Sequence, residues 1–483
     1  MTNDTREKYN YAAITKEYIE KYEQKEEFQE DFSNAAPTIG YRHMQVLMYF
    51  FLCIVAYGFR VTISVGIVAM TDPTASSNPD IPTYPEWKDK NLILSAFFWG
   101  YVIPQTFAGW AANRFGAKWF LVVTMLVQSV LGTLIPLTAA QFGSRGVMIS
   151  RAVQGLCQGF IYPSLTHLLS QWAPSEERSR LGTVVFAAGP CGTVIAILVT
   201  GLISASWYGW PLAFYLYGGL GLLWCIGMVL LGYDKPSYHP KISHSEKMYI
   251  EQSLGHTEEK ATHSTPWRSI FTSVPVYALV ATQIGFNYCF WTMLTQIPTY
   301  MNFVMNFNIK QNSLLSSLPY LTLWLLSFVM GFLSDAMINK GILSRTITRK
   351  IFNSIGLFIP AAALIVLSYT QPDEYVRGVV LLVIAVGFSS ACFSGWAVNP
   401  MDLSPNHAGT LMGLTNGFAQ CTGAIAPIVI QFLVTEERNP LQWRTVFLIT
   451  AFLNISTGII FDIFGSGKVQ SWNDEEREDK EKS

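Results

Sequence analysis

Residues 44–70 read MQVLMYFFLCIVAYGFRVTISVGIVAM, an apolar run with one charged side chain, Arg60, near its middle. A helix of that length extends about 40 Å, more than the roughly 30 Å of hydrocarbon in a bilayer. The run therefore reads as a transmembrane helix that carries a cation inside the membrane. Further apolar windows follow at about 91–111, 117–139, 146–170, 180–204 and 211–233. After a polar interval they resume at about 273–302, 314–338, 350–370, 377–400, 407–433 and 443–465. The pattern predicts an all-α membrane protein with twelve transmembrane helices in two six-helix halves.

Composition agrees with this reading. The 483 residues are 50% hydrophobic and only 13% charged, against roughly 25% charged in a soluble globular protein. Residues 1–40, 234–272 and 466–483 hold 34 of the 65 charged side chains, so the other 386 positions carry only 31. A net charge of −1 excludes the basic face that a nucleic-acid binder needs. The seven cysteines all fall in apolar segments, with neither disulfide-framework nor metal spacing, and read as small hydrophobes.

With both termini placed inside, the inner segments carry 23 Lys and Arg and the outer loops 7. This asymmetry predicts cytoplasmic termini. The expected organisation is a cytoplasmic tail (1–43), a first half (44–233), a cytoplasmic central loop (234–272), a second half (273–465) and an acidic cytoplasmic tail (466–483). Residues 1–43 are charged and have no apolar core segment, so no cleavable leader is expected.

Two arginines sit where they are costly. Arg60 lies midway along the first window and Arg151 opens a polar stripe in the fourth. An arginine at the centre of a span costs about 2.5–3.5 kcal/mol on insertion scales. Asp335, Asp402 and Asp462 all fall near predicted helix ends, so no acid stands ready for either arginine. Buried positive charge without a fixed counter-charge makes a site that favours an anion. The alternative for each arginine is snorkelling, or bonding to carbonyls.

Arg151, Gln154, Gln158 and Tyr162 share one helical face. Tyr57, Arg60 and Ser64 form a stripe on the first window. Asn287, Tyr288, Trp291, Thr292, Thr295 and Gln296 form another on the seventh. Each stripe alone suits interhelical hydrogen bonding, whereas three facing one interior suit an aqueous pathway. No Walker loop, HExxH, GxSxG or CxxC occurs, so nothing supports an enzyme.

Gly109, Asn113, Arg114 and Gly116 follow the second window, and Gly331 and Asp335 close the eighth. Their corresponding places suggest two parallel repeats with a solute site between them. They are expected to act in gating.

The run Arg151-Ala-Val-Gln-Gly-Leu-Cys-Gln-Gly-Phe-Ile-Tyr-Pro163, followed by Gln171-Trp-Ala-Pro-Ser-Glu-Glu-Arg-Ser-Arg-Leu181, resembles the fourth helix and next loop of one anion-transporter family. That family comprises sialin, the vesicular glutamate transporters and the type I sodium–phosphate cotransporters, within the major facilitator superfamily. Phe97-Phe-Trp-Gly-Tyr101, Leu315-Ser-Ser-Leu-Pro-Tyr320, Gly395-Trp-Ala-Val-Asn399, Asp402-Leu-Ser-Pro405 and Gly413-Leu-Thr-Asn-Gly417 extend the resemblance over about residues 40–472. It is strongest to the inorganic phosphate cotransporter branch.

The resemblance implies the major facilitator fold and alternating-access anion transport driven by sodium, protons or membrane potential. It places the family's first-helix arginine at Arg60, its fourth-helix arginine at Arg151, its Tyr-Pro tyrosine at Tyr162 and its second-helix tyrosine at Tyr101. Proton-coupled members carry glutamate where this chain has Gln158 and histidine where it has Thr166. Many relatives have glutamate in place of Gln296. The extra seventh-helix arginine of the glutamate transporters has no counterpart in Tyr288-Cys-Phe-Trp291.

The expectation is a monomeric carrier in the lipid bilayer, in which a small anion bridges Arg60 and Arg151. Tyr101, Gln158, Tyr162 and Asn287 would shape the pocket. No cofactor is expected, and sodium is the candidate coupling ion. The plasma membrane is favoured over a lysosome or vesicle. The rivals are a chloride-type channel on the same scaffold and a proton-coupled organic anion transporter.

Overall fold

Each apolar window folds as helix, and glycine and proline set the breaks. The computed structural model describes residues 40–174, 177–253, 266–371, 373–404 and 407–474. The first half comprises α1 (Tyr41–Thr71), α2 (Lys90–Phe115), α3 (Ala117–Gln158), α4 (Ile161–Trp172), α5 (Arg178–Ser204) and α6 (Gly209–Leu231). Helix α3 holds the third crossing and most of the fourth, because the chain reverses at Gly143 (φ 61°, ψ −152°). That backbone conformation is essentially restricted to glycine.

Two short helices, α7 (His244–Ser253) and α8 (Trp267–Thr272), occupy the central segment. The second half comprises α9 (Val274–Phe303), α10 (Ile309–Asn339), α11 (Arg345–Leu367), α12 (Tyr375–Phe388), α13 (Asn399–Leu403), α14 (Ala408–Leu433) and α15 (Pro440–Phe464). The tenth crossing runs through α12, a 3₁₀ turn at Ser389–Phe393 and α13. Twelve crossings result, six in each half.

Across the divide α1 packs on α9, α2 on α14 and α5 on α10. Among the described residues, four hydrogen bonds join the halves. Lys90 Nζ donates to Glu437 Oε2 (2.6 Å), Gln296 Nε2 to Asn91 Oδ1 (2.7 Å), Gln431 Nε2 to the Lys88 carbonyl (2.6 Å) and Ser95 Oγ to the Ala424 carbonyl (2.6 Å). All four lie toward the end of the bundle opposite the chain termini, so the halves are sealed there.

At the other end the central segment straps onto the first half. Helix α1 begins after Gly40, whose N–H donates to His43 Nδ1 (3.2 Å), and has no acid in its first turn. Glu246 of α7, fully buried, accepts from the backbone N–H groups of Tyr41 (3.1 Å) and Arg42 (3.0 Å) and from Arg42 Nη1 (3.3 Å). A carboxylate there satisfies exposed first-turn donors and the positive end of the helix dipole. Arg42 also pairs with Glu177 (2.9 Å). Asp234 accepts from the Lys118 N–H (2.9 Å) beside Gly116, whose φ is +85°.

Candidate anion site in the first half

Pro163 shapes the fourth crossing. It has no N–H, and its ring crowds the carbonyl four residues back. The helix is accordingly interrupted at Gly159 and Phe160, with α3 ending at Gln158 and α4 starting at Ile161. One turn before Gly159, a Cβ on Gly155 would overlap the Phe97 carbonyl, and on α2 one on Gly100 would overlap the Ala152 carbonyl. These glycines let α2 and the fourth crossing touch backbone to backbone. The contact presses the α2 aromatics against both arginines.

Arg60 is 6% exposed. Its guanidinium carbon lies 4.5 Å from the ring centre of Tyr101, 5.1 Å from Phe97, and 5.2 Å from each of Tyr57 and Trp291. A desolvated cation–π contact contributes up to about 2 kcal/mol, so this cage offsets much of the cost of holding the charge in the membrane. Arg60 Nε donates to Gln158 Oε1 at 2.7 Å. Among the described residues no carboxylate pairs with Arg60 or Arg151.

A small pocket opens here, lined by Cys53, Ala56, Tyr57, Arg60, Gln158 and Tyr162, with Ile161 beside them. Gln158 Nε2 donates to the Ala56 carbonyl (2.7 Å) and to Gln128 Oε1 (3.1 Å). The Tyr162 and Tyr57 hydroxyls are 3.2 Å apart. Arg60, Tyr101, Gln158 and Tyr162 thus converge.

Other expected residues lie differently. Arg151, 1% exposed, does not line the pocket. It donates from Nη1 to the Phe59 carbonyl (2.8 Å) and Gln154 Oε1 (3.0 Å), and from Nη2 to the Arg60 carbonyl (3.3 Å). Asn287 Nδ2 is engaged by the carbonyl of Gln283 one turn back (2.9 Å). The second half reaches Arg60 through Trp291 instead.

Asp335 is exposed. The corresponding inner end of the second half is tied by Arg349, which donates to Asp402 (2.7 Å), the Ser334 hydroxyl (3.2 Å) and the Ser394 carbonyl (3.0 Å). Gly109, Asn113 and Arg114 belong to the last turns of α2, and their side chains lie outside the described residues.

Phe97, Trp291 and Gln128 were not singled out as site residues by sequence reasoning. Trp291 was visible as part of a polar stripe. Phe97 opens the Phe97–Tyr101 motif with no role attached to it, and Gln128 gives no signal beyond lying in an apolar window.

The sequence profile of the Major Facilitator Superfamily matches residues 46–427. The chain belongs to this superfamily. It is 40% identical over 450 residues to a "Putative inorganic phosphate cotransporter" of Drosophila ananassae, covering 88% of this chain and 93% of that one. Human sialin is 34% identical, with 91% and 92% covered. Human vesicular glutamate transporter 2 is 35% identical, with 89% and 74% covered.

Among solved structures, a bacterial homolog of the human lysosomal transporter Spinster, in an inward-facing and occupied conformation, superposes with a TM-score of 0.66 at 13% identity. It covers 88% of this chain and 97% of that one. The inward-open xylose transporter XylE from E. coli gives the same TM-score and identity, with 88% and 96% covered. The chain is thus an integral membrane transporter of small solutes with the major facilitator fold, and not an enzyme.

Proposed function

We propose that this transporter carries anions, inorganic phosphate or small organic anions, by secondary-active alternating access. The observation that carries this reading is Arg60, a guanidinium at the middle of α1 that is held by four rings and an amide and by no acid. An anion at the pocket supplies the missing charge. Neutralising the site then lowers the barrier to closing one half over the other.

Gln158 fills the position next to Arg60, and an amide cannot cycle a proton at physiological pH. Sodium or membrane potential is therefore the proposed driving force. The Lys and Arg asymmetry supports cytoplasmic tails and central loop, and the same absence of acid-compartment carboxylates favours the plasma membrane. The unit is proposed to work as a monomer.

The test is uptake of radiolabelled phosphate into proteoliposomes under an inward sodium gradient, a proton gradient, or neither. Gluconate and N-acetylneuraminate serve as organic probes. Saturable, sodium-stimulated uptake of one anion, abolished by Arg60→Gln at equal reconstitution, supports the reading. Undiminished uptake by Arg60→Gln would remove Arg60 from the site. Failure to take up any anion under any gradient would remove anion transport itself.

A further inference from the structure

Arg151 has the charge of a ligand contact and the geometry of something else. Three of its hydrogen bonds end on protein oxygens, two of them the adjacent main-chain carbonyls of Phe59 and Arg60. Those carbonyls lie in the middle of α1, where each oxygen serves the helix with one lone pair and keeps another for a side chain. Of the two N–H groups left over, the one on Nε is enclosed and has no hydrogen-bond partner. The Phe97 ring, fully buried, covers the group at 4.8 Å from its guanidinium carbon. The pocket lining includes Arg60 and Gln158 and does not include Arg151.

We infer that Arg151 is a positioning residue for Arg60 and not a second contact for the anion. Its planar fork grips two successive carbonyls of α1 and so fixes the rotation of the helix at the residue whose side chain lines the pocket. The site then presents one cation to its ligand. This rests on the proposal that Arg60 binds the anion.

Lysine separates the two roles. Arg151→Lys keeps the positive charge but replaces a rigid fork by a point donor that cannot reproduce the paired carbonyl geometry. A purely electrostatic role predicts that lysine preserves affinity, and a direct contact with the anion predicts an unchanged Arg60 modification rate. A positioning role predicts that lysine fails as glutamine does.

The experiment measures phosphate uptake by wild type, Arg151→Lys and Arg151→Gln. In the same proteoliposomes, peptide mass spectrometry follows modification of Arg60 by p-hydroxyphenylglyoxal, a readout that needs no transport. The inference expects KM to rise about tenfold or more in Arg151→Lys with Vmax within about twofold of wild type. It also expects the Arg60 modification rate to change at least threefold.

A wild-type modification rate in Arg151→Lys, whatever its KM, would overturn the inference. Should Arg151→Gln fail to fold, the lysine variant decides alone. Should wild type carry no phosphate, the modification rate decides. Loss of the anion-binding reading is seen separately, as Arg60→Gln leaving uptake intact.

Discussion

Arg60 Nε and Gln158 Oε1 stand 2.7 Å apart, the spacing at which a carboxylate in place of the amide forms a charge-assisted pair. Gln158→Glu is therefore expected to neutralise Arg60 internally and compete with the transported anion. The variant should lose uptake at neutral pH and recover it only in acid, where the introduced carboxyl is protonated. Wild type should show no such acid activation from this position. Uptake against external pH for the two proteins checks this, and equal pH profiles would sink it.

The seal opposite the termini is made by neutral amides and one ion pair. The Lys90–Glu437 pair is half-buried, and an ion pair of this kind contributes about 0.2–1 kcal/mol, so Glu437→Gln should change transport by no more than about fivefold. The Asn91–Gln296 contact at 2.7 Å lies on opposing halves and must open in any alternating-access cycle. Joining Asn91→Cys and Gln296→Cys with a short bifunctional thiol reagent should arrest uptake, and a reductant that cleaves the linker should restore it. Either single cysteine variant, treated alike, should keep its activity. Continued uptake by the joined protein would mean that this contact never separates.

His239 gives the strap a pH dependence of known sign. Its ring packs against Tyr41 (4.2 Å), Tyr233 (4.6 Å) and Trp172 (6.1 Å), and its Nδ1 accepts from the Lys241 N–H. Burial pushes its pKa below the usual 6.5, opposed by Glu246 and assisted by Lys241. The undocked histidine therefore takes up a proton at higher pH than the docked one. The stabilising contribution is complete above about pH 6.5 and declines as pH falls through the docked value. Hydrogen exchange in α7 should quicken as pH falls below about 6.5, after correction for intrinsic rates. His239→Phe should remove that quickening.

The twelve crossings were legible because a bilayer demands long apolar windows, and a window is a local property of sequence. Arg60 was legible for the same reason, since one charge in an apolar run stands out. Its cage was not. Phe97 and Trp291 are aromatic residues among many in the spans, and only packing distinguishes a ring over a guanidinium from one facing lipid.

Arg151 was legible as a buried charge, but its partners were hidden because they are main-chain carbonyls, which every residue has. The inner tie of the second half escaped for another reason. Asp335 lies beside the recognisable glycine pattern, yet Arg349 finds Asp402, 53 residues away along the chain.

Gln128 is the residue on which the polar network of the first half turns. Arg60 offers only donors, so Gln158 must present its oxygen to Arg60 and its nitrogen to Ala56 and Gln128. Gln128 must then present its oxygen, which leaves its own Nε2 buried without a partner. Its main-chain carbonyl meanwhile accepts from Gln154 Nε2 (3.3 Å), the amide whose oxygen holds Arg151. One residue of the third crossing thus steadies the surroundings of both arginines. Gln128→Met removes the acceptor and the orphaned donor together, so stability should change little, because an unmade buried hydrogen bond costs about 1–3 kcal/mol and its removal offsets the lost one. Affinity should change more, since Gln158 keeps only the Ala56 carbonyl to hold its amide. KM for the transported anion is expected to rise about fivefold, the equivalent of roughly 1 kcal/mol. The double variant Gln128→Met/Gln158→Met should be no worse than Gln158→Met alone, because Gln128 acts through Gln158. Multiplicative effects in that cycle would assign Gln128 an independent role.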